Sequence, residues 1–211
     1  MPFDHIISIG ATCTPAWQIR SHFPGAKAFP FDWRITPWPT MVSLIENDFQ
    51  GFAEPDQFYI SDDKKSVFHK KYEIDMPHDF HKSGKFIADD WEEYLDGVVQ
   101  KFKYLIDRWS SVMESRSRIL FVRHQGNVVI GDNKPTLMPV NDAKYLCELL
   151  QNKARGSEIK ILFVNAVDGN TSINACAKTA DVRYANETDW PNESDRWKGA
   201  TTEWAKVFEN I

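Results

Sequence analysis

The chain has 211 residues and a formal net charge of −5 at pH 7, with 25 basic and 30 acidic residues interspersed along it. No basic patch favours binding to nucleic acid or to an anionic membrane, and no apolar run is long enough to cross a bilayer. The N-terminus lacks the pattern of a secretory signal. Cys13, Cys147 and Cys176 are too irregularly spaced for a disulfide framework or a metal clip. We therefore expect a soluble cytoplasmic protein with reduced thiols that binds neither nucleic acid nor membrane.

Apolar runs and helical periodicity alternate along the chain. Buried strands are predicted at residues 6–9, 119–123 and 159–165, and a shorter one near a sheet edge at 182–185. Helices are predicted at residues 15–22, 39–47, 90–114, 141–153 and 200–208. This alternation indicates a single α/β domain over residues 1–211, a three-layer sandwich with a mostly parallel central sheet. Residues 52–87 break the rhythm and predict an irregular insertion with β-structure or a small hairpin.

The turn after the first predicted strand is the most informative segment for function. Cys13 follows the strand and Gly10, and Thr14 as N-cap with Pro15 in the first turn marks a helix start. The carboxyl ends of strands are where α/β proteins present reactive side chains. We expect the helix dipole to lower the pKa of Cys13, and backbone N–H groups from Gly10 through Thr12 to Thr14 to bind an oxyanion. The alternative is an inert cysteine buried in the first turn.

A cysteine nucleophile needs a base, usually a histidine, and a group that orients it. Two of the six histidines are candidates for the base. His78 precedes Asp79 in a loop before the longest helix. His124 ends the second predicted strand, so it should approach Cys13 at the same sheet edge. For both, the alternative is a surface or capping role. His78 and His81 have the spacing of a metal pair but lack a third ligand, so we expect no metal and no cofactor.

Residues 29–34 combine aromatic and charged side chains in an unusual loop. Asp32 could orient a base or a substrate, and Trp33 and Arg34 could contact a substrate. The alternative is a core plug in which Asp32 caps the following turn and pairs with Arg34. Late in the chain, Asp195 is expected to cap the last helix, with Trp190 and Trp197 packed beside it.

The motifs taken together are similar to those of a bacterial and viral family of papain-like cysteine peptidases, formerly a domain of unknown function. S-I-G-A-T-C at residues 8–13 and P-F-D-W at 30–33 carry the resemblance. A His-Asp pair at 78–79, F-V-R at 121–123 and tryptophans within 197–204 follow in the family's order. The resemblance spans nearly the whole chain. It implies a nucleophile at Cys13, a base at His78 and an orienting carboxylate at Asp79 or Asp32.

The first elements follow each other as a strand, a glycine, a turn and a helix. This order is also similar to that in esterases of the SGNH-hydrolase type. Those carry a late Asp-x-x-His, whereas Asp195-Arg-Trp-Lys198 here lacks the histidine. We therefore expect a Rossmann-like or SGNH-hydrolase-like sheet.

The predicted function is a cysteine-dependent hydrolase or acyl-transfer enzyme for a peptide or a glycan-linked small substrate. The alternative is a non-catalytic binding module with a sugar or nucleotide pocket at the first turn and residues 29–34. The oligomeric state stays open.

Overall fold

A computed structural model describes residues 2–125, 129–130, 134–135, 138, 142–166, 176, 178–186 and 193–211. Residues 141 and 190, which were part of the sequence-based predictions, lie outside this range. The described strands are β1 (His5–Ser8), β2 (Phe58–Ile60), β3 (Val67–His69), β4 (Lys82–Ser83), β5 (Phe86–Ile87), β6 (Arg118–His124), β7 (Val129–Ile130), β8 (Lys134–Pro135), β9 (Glu158–Val164) and β10 (Ala180–Arg183). The described α-helices are α1 (Thr14–His22), α2 (Trp38–Glu46), α3 (Leu95–Met113), α4 (Ala143–Lys153) and α5 (Thr201–Val207).

A central sheet of four parallel strands organises the fold, in the order β1-β6-β9-β10. Ser8 of β1 lies opposite Val122 of β6, and His124 at the end of β6 lies opposite Val164 of β9. The predicted parallel α/β sheet is therefore confirmed, as is the edge position of the fourth strand. This strand begins two residues earlier than the sequence predicts.

Helices cover both faces of the sheet because its strands are apolar on both sides. Along β6, Ile119 and Phe121 pack into the larger core with α2, α3 and α4, whereas Leu120 and Val122 pack against α1 and α5. This alternation has the period of two that a strand imposes. The three-layer sandwich that the sequence predicts is confirmed.

Residues 52–87 form two antiparallel hairpins, β2–β3 and β4–β5, as the sequence predicts for β-structure in this segment. They are more than a surface insertion, because Phe52, Phe58 and Ile74 are buried in the larger core. His69 at the end of β3 is also buried, and its ring stacks on Phe52 at 5.1 Å between centroids. None of the described helices is long and apolar enough to span a membrane.

Two predicted helix caps are wrong. Cys13, not Thr14, occupies the N-cap position of α1, because the Thr14 hydroxyl donates instead to the carbonyl of Trp197 at 2.8 Å. Asp195 does not cap α5: it lies in a 3₁₀ helix (Glu193–Lys198) and forms an ion pair with Lys198 at 2.6 Å. Thr14 is engaged by a contact with a distant part of the chain, whereas Asp195 is engaged by a local pair within its own 3₁₀ helix.

Candidate functional site

The turn that carries Cys13 stays paired with the end of β6. Ile9 N–H donates to Val122 O at 3.0 Å, and the ladder continues through His124 N–H to Gly10 O at 3.1 Å and Ala11 N–H to His124 O at 3.4 Å. Gly10 adopts a positive φ of 82°, which glycine tolerates without a steric penalty. The carboxyl ends of β1 and β6 therefore lie side by side, as the sequence predicts. Cys13 lies at this edge of the sheet.

The Cys13 thiol is buried, with 6% of the residue exposed. Burial raises its pKa to about 12; the Arg34 guanidinium opposes this shift, while the nearby carboxylates of Asp75, Asp79 and Asp32 add to it. The expectation of a lowered pKa is wrong for this conformation, because desolvation outweighs the helix terminus. No hydrogen bond joins Cys13 Sγ to a histidine ring anywhere in the described part of the chain, which includes all six histidines.

Two backbone donors of the turn remain available. The N–H groups of Gly10 and Thr14 donate to the hydroxyls of Ser8 and Thr12, at 3.3 and 3.4 Å. The N–H groups of Thr12 and Cys13, by contrast, have no acceptor among the described residues. Adjacent free N–H groups at the start of a helix are the usual donors to an anion. Gly10 and Thr14 therefore shape the turn, whereas Thr12 and Cys13 carry its free donors.

Arg34 is a fixed positive charge close to Cys13. Its Nη2 pairs with Asp79 Oδ1 at 2.9 Å, and both side chains are 1% exposed. Its Nη1 donates to the carbonyls of Pro30, at 2.8 Å, and Asp32. The guanidinium also lies over the Phe102 ring, 4.3 Å from the centroid. These contacts hold Arg34 in one orientation.

Neither carboxylate that the sequence offers as an orienting group is bonded to His78. Asp32 Oδ2 accepts from Arg20 Nη2 at 2.7 Å and from Phe29 N–H at 2.9 Å. Burial raises the pKa of Asp32, and Arg20 opposes that shift. Asp79 is engaged by Arg34 and, at 2.7 Å, by Lys101. The predicted Asp32–Arg34 ion pair is wrong, because the carboxylate turns back toward α1 and Arg20.

His78 lies on the surface in a group of aromatic rings that we name the tryptophan cluster: Trp17, Trp33, Trp197 and His78. The Trp197 centroid is 5.4 Å from Trp17, 6.3 Å from Trp33 and 5.8 Å from His78. Burial lowers the pKa of His78, and Lys82 adds to this shift, while Asp79 and Asp75 oppose it. The cluster adjoins the Cys13 turn, because Trp17 N–H donates to Cys13 O at 3.1 Å.

The second histidine candidate, His124, contacts a different side chain of the same turn. Its Nδ1 lies 3.5 Å from Thr12 Oγ1, and its buried ring packs 5.7 Å from that of Trp204. The sequence thus predicts its location correctly, at the end of β6 beside the turn. Its observed neighbour in the turn is Thr12.

Four further residues of this region were not predicted from the sequence to belong to the site. Asp75 has a buried carboxylate oxygen with no hydrogen-bond partner among the described residues, and no local pattern marks it. Trp17 could have been found, because it follows Cys13 by one helical turn and so shares its face of α1. Arg20 and Trp197 reach the site only through tertiary contacts.

No described group of His, Cys, Asp and Glu residues could hold a metal ion.

The fold and the site together define an α/β protein that carries a buried thiol where the first strand of a parallel sheet passes into a helix. The chain belongs to the family described as "Putative papain-like cysteine peptidase", whose sequence model matches residues 4–169. The resemblance predicted from the motifs is confirmed over this range, whereas the tryptophans within 197–204 lie outside it. The matched range contains Cys13, Trp33, His78 and His124. No curated protein and no solved structure matches the chain.

Proposed function

We propose that the protein is a cysteine-dependent hydrolase or acyl-transfer enzyme whose nucleophile is Cys13. This proposal rests on the groups that surround the Cys13 thiol. Cys13 lies at the start of α1, beside the two free N–H donors of the turn and the fixed charge of Arg34. The description of the family as cysteine peptidases supports the same chemistry. The substrate class is a peptide or a glycan-linked small molecule with a reactive carbonyl.

The conformation described here is a closed resting state of the enzyme. Burial raises the pKa of the thiol to about 12, whereas burial lowers the pKa of His78 from its ordinary value. Each pKa unit of that gap costs about 1.4 kcal/mol, so proton transfer between them is too costly while the thiol stays buried. Displacement of the tryptophan cluster by a substrate would hydrate Cys13 and remove the main cause of its raised pKa. Arg34 and the helix terminus would then favour the thiolate.

In the open state the roles follow from the residues around the turn. His78 accepts the thiol proton, and the thiolate attacks the substrate carbonyl carbon to form a tetrahedral intermediate. The N–H groups of Thr12 and Cys13 donate to its oxyanion. Asp75 and Asp79 are the carboxylates available to orient His78, because each has a buried oxygen without a hydrogen-bond partner among the described residues. Collapse of the intermediate breaks the bond to the amine or alcohol of the substrate, which takes the proton from His78 and leaves. The acyl group stays on Cys13 until water or a second acceptor removes it.

Acylation by p-nitrophenyl acetate tests this proposal. We expect mass spectrometry to find acetyl-Cys13 in the wild type and none in Cys13→Ala. His78→Asn should acylate at least about 10-fold more slowly, since a general base contributes at least this much. Trp33→Ala opens the tryptophan cluster and should accelerate both acylation and iodoacetamide alkylation of Cys13.

Cys176→Ala serves as the matched control, because it removes a half-buried thiol that precedes β10, at the sheet edge opposite β1. We expect this variant to acylate Cys13 at the wild-type rate. An unmodified Cys13 in both the wild type and Trp33→Ala would rule the proposal out. Equal rates in the wild type and His78→Asn would remove His78 as the base and leave His124 to be tested.

The exposed part of the tryptophan cluster favours one second function, a glycan-binding module. Trp197 is 39% exposed, and cations border the cluster, with Arg20 5.0 Å from the Trp33 centroid and Lys198 4.9 Å from that of Trp17. Indole rings at a polar rim suit the apolar faces of sugars. Oligosaccharide binding that persists in Cys13→Ser and is lost in Trp197→Ala, without acylation of the wild type, would favour this function.

A further inference from the structure

Two cysteines outside the proposed active site face each other. Cys147 lies in α4, and Cys176 lies shortly before β10. Their Sγ atoms are 2.8 Å apart. This separation exceeds the length of a disulfide bond by only about 0.8 Å. The two sulfurs can therefore be joined by a small adjustment of side chains.

Contacts that do not involve sulfur hold the two cysteines in register. One helical turn after Cys147, Gln151 Nε2 donates to Thr179 Oγ1 at 2.9 Å. The N–H groups of Thr179 and Ala180 donate to the carbonyl of Cys176 at 2.8 and 2.9 Å. The turn that carries Cys176 is thus fixed to the helix that carries Cys147.

The two sulfurs differ in accessibility. Cys147 is buried, and its burial raises the pKa of its thiol, with a further contribution from its contact with Cys176. Cys176 is half-buried. A small oxidant from solution therefore reaches Cys176 first, and Cys147 is the sulfur that reacts second.

We propose that Cys147 and Cys176 form a reversible disulfide by exchange with a low-molecular-weight disulfide such as glutathione disulfide. The Cys176 thiolate attacks one sulfur of glutathione disulfide; a mixed disulfide forms, and one glutathione thiolate leaves. Cys147 then attacks Cys176 Sγ, so that the protein disulfide forms and the second glutathione leaves. Two protein thiols are oxidised, one glutathione disulfide is reduced to two thiols, and these take up the two protons.

Incubation of the reduced, folded protein with glutathione disulfide tests this exchange. We expect the intact mass to fall by that of two hydrogen atoms and peptide mapping to find a Cys147–Cys176 link. The melting temperature of the oxidised protein should rise by about 6–16 °C. Cys147→Ser should stop at a glutathione adduct on Cys176, because the second sulfur is missing. Cys13→Ser should still form the link, so this result does not depend on the proposed acyl-transfer reaction.

A disulfide that maps to Cys13 would overturn the proposal, as would a glutathione adduct that persists on Cys176 in the wild type. Thiols that stay reduced in the folded chain, under conditions that oxidise the same chain in urea, would also overturn it.

Discussion

Gly10 brings the backbone of the first turn against a buried guanidinium. Arg123 is fully buried, which lowers its pKa to about 9, and its Nη1 donates to Ile9 O at 2.7 Å. A Cβ atom at Gly10 would lie 2.8 Å from this nitrogen and 3.3 Å from Thr36 Cβ. The turn that carries Cys13 can therefore follow its course only because residue 10 has no side chain.

We expect Gly10→Ala to lower the free energy of unfolding by about 2–4 kcal/mol, because it combines a positive φ with a close contact to Arg123. Urea unfolding at pH 7 measures this loss. Gly97→Ala is the matched control, since nothing lies within 4 Å of a Cβ built there in α3. The control should gain about 0.5–1 kcal/mol from helix propensity. Equal effects of the two substitutions would contradict this account.

His69 makes the stability of the fold sensitive to acid. Its Nδ1 accepts the N–H of Tyr72 at 3.2 Å, and burial lowers its pKa to about 4. A protonated ring could not accept that hydrogen bond. The pKa in the folded state thus lies below the unfolded value of about 6.5. Above pH 6.5 the ring is neutral in both states, and as the pH falls toward 4 the unfolded chain binds more protons and stability is lost.

We expect this single residue to account for a loss of about 3 kcal/mol between pH 7 and pH 4. His69→Asn keeps an acceptor for Tyr72 N–H but cannot titrate, so its unfolding free energy should depend less on pH in this range. Urea unfolding at several pH values gives the comparison, with His81→Asn as a control at an exposed histidine. Parallel pH profiles for the wild type and His69→Asn would disprove this role.

The loop of residues 29–34 is held between two elements that are distant in sequence. The Arg20–Asp32 pair ties it to α1, and the Arg34–Asp79 pair ties it to the segment between the two hairpins. The second pair is buried on both sides, so removal of one partner leaves an uncompensated buried charge. This loop thereby connects the helix of Cys13 with the segment of His78.

We expect Asp79→Ala to lower the free energy of unfolding by about 3–5 kcal/mol, because Arg34 then stays buried without its carboxylate. The double variant Arg34→Met with Asp79→Leu should lose less than the single variant, since no buried charge is left unpaired. Lys101, the other partner of Asp79, is half-exposed and stays hydrated. Urea unfolding of the wild type and both variants measures the difference. A double variant that is less stable than Asp79→Ala would contradict this explanation.

The elements themselves could largely be predicted from the sequence. The strands β6 and β9 are buried on both faces and so read as continuous apolar runs. The helix α3 repeats its buried residues at helical spacing, although its predicted first turn is a 3₁₀ helix (Trp91–Tyr94). The sequence wrongly predicts Thr14 as the N-cap of α1, because the carbonyl that its hydroxyl binds lies 183 residues further along the chain.

At the scale of the whole molecule, the sequence predicts which residues lie at the carboxyl edge of the sheet. It does not predict which side chains surround Cys13 there. Parallel topology brings Cys13 and His124 to the same edge, as expected. The tryptophan cluster draws its rings from four separate segments, and no local pattern specifies that assembly. The raised pKa of Cys13 has the same origin, since burial is a property of the assembled structure.

The Cys147–Cys176 pair is likewise visible only in the folded molecule. The two residues are 29 positions apart, a separation that fits no short cysteine motif. A bond between them would join α4 to the edge of the sheet and stabilise the whole fold by about 3–4 kcal/mol.

The attachment of α1 to the last part of the chain has a consequence for the family. Gln18 Nε2 donates to Lys198 O at 2.7 Å, and Thr14 binds the Trp197 carbonyl, so α1 positions a tryptophan outside the range 4–169 that the family shares. The turn that carries Cys13 and the Trp197 ring therefore come from different parts of the chain, and only the turn lies within the matched range. Under the function proposed above, substitutions in the segment of Trp197 would alter which molecules reach Cys13, while the turn itself would stay unchanged.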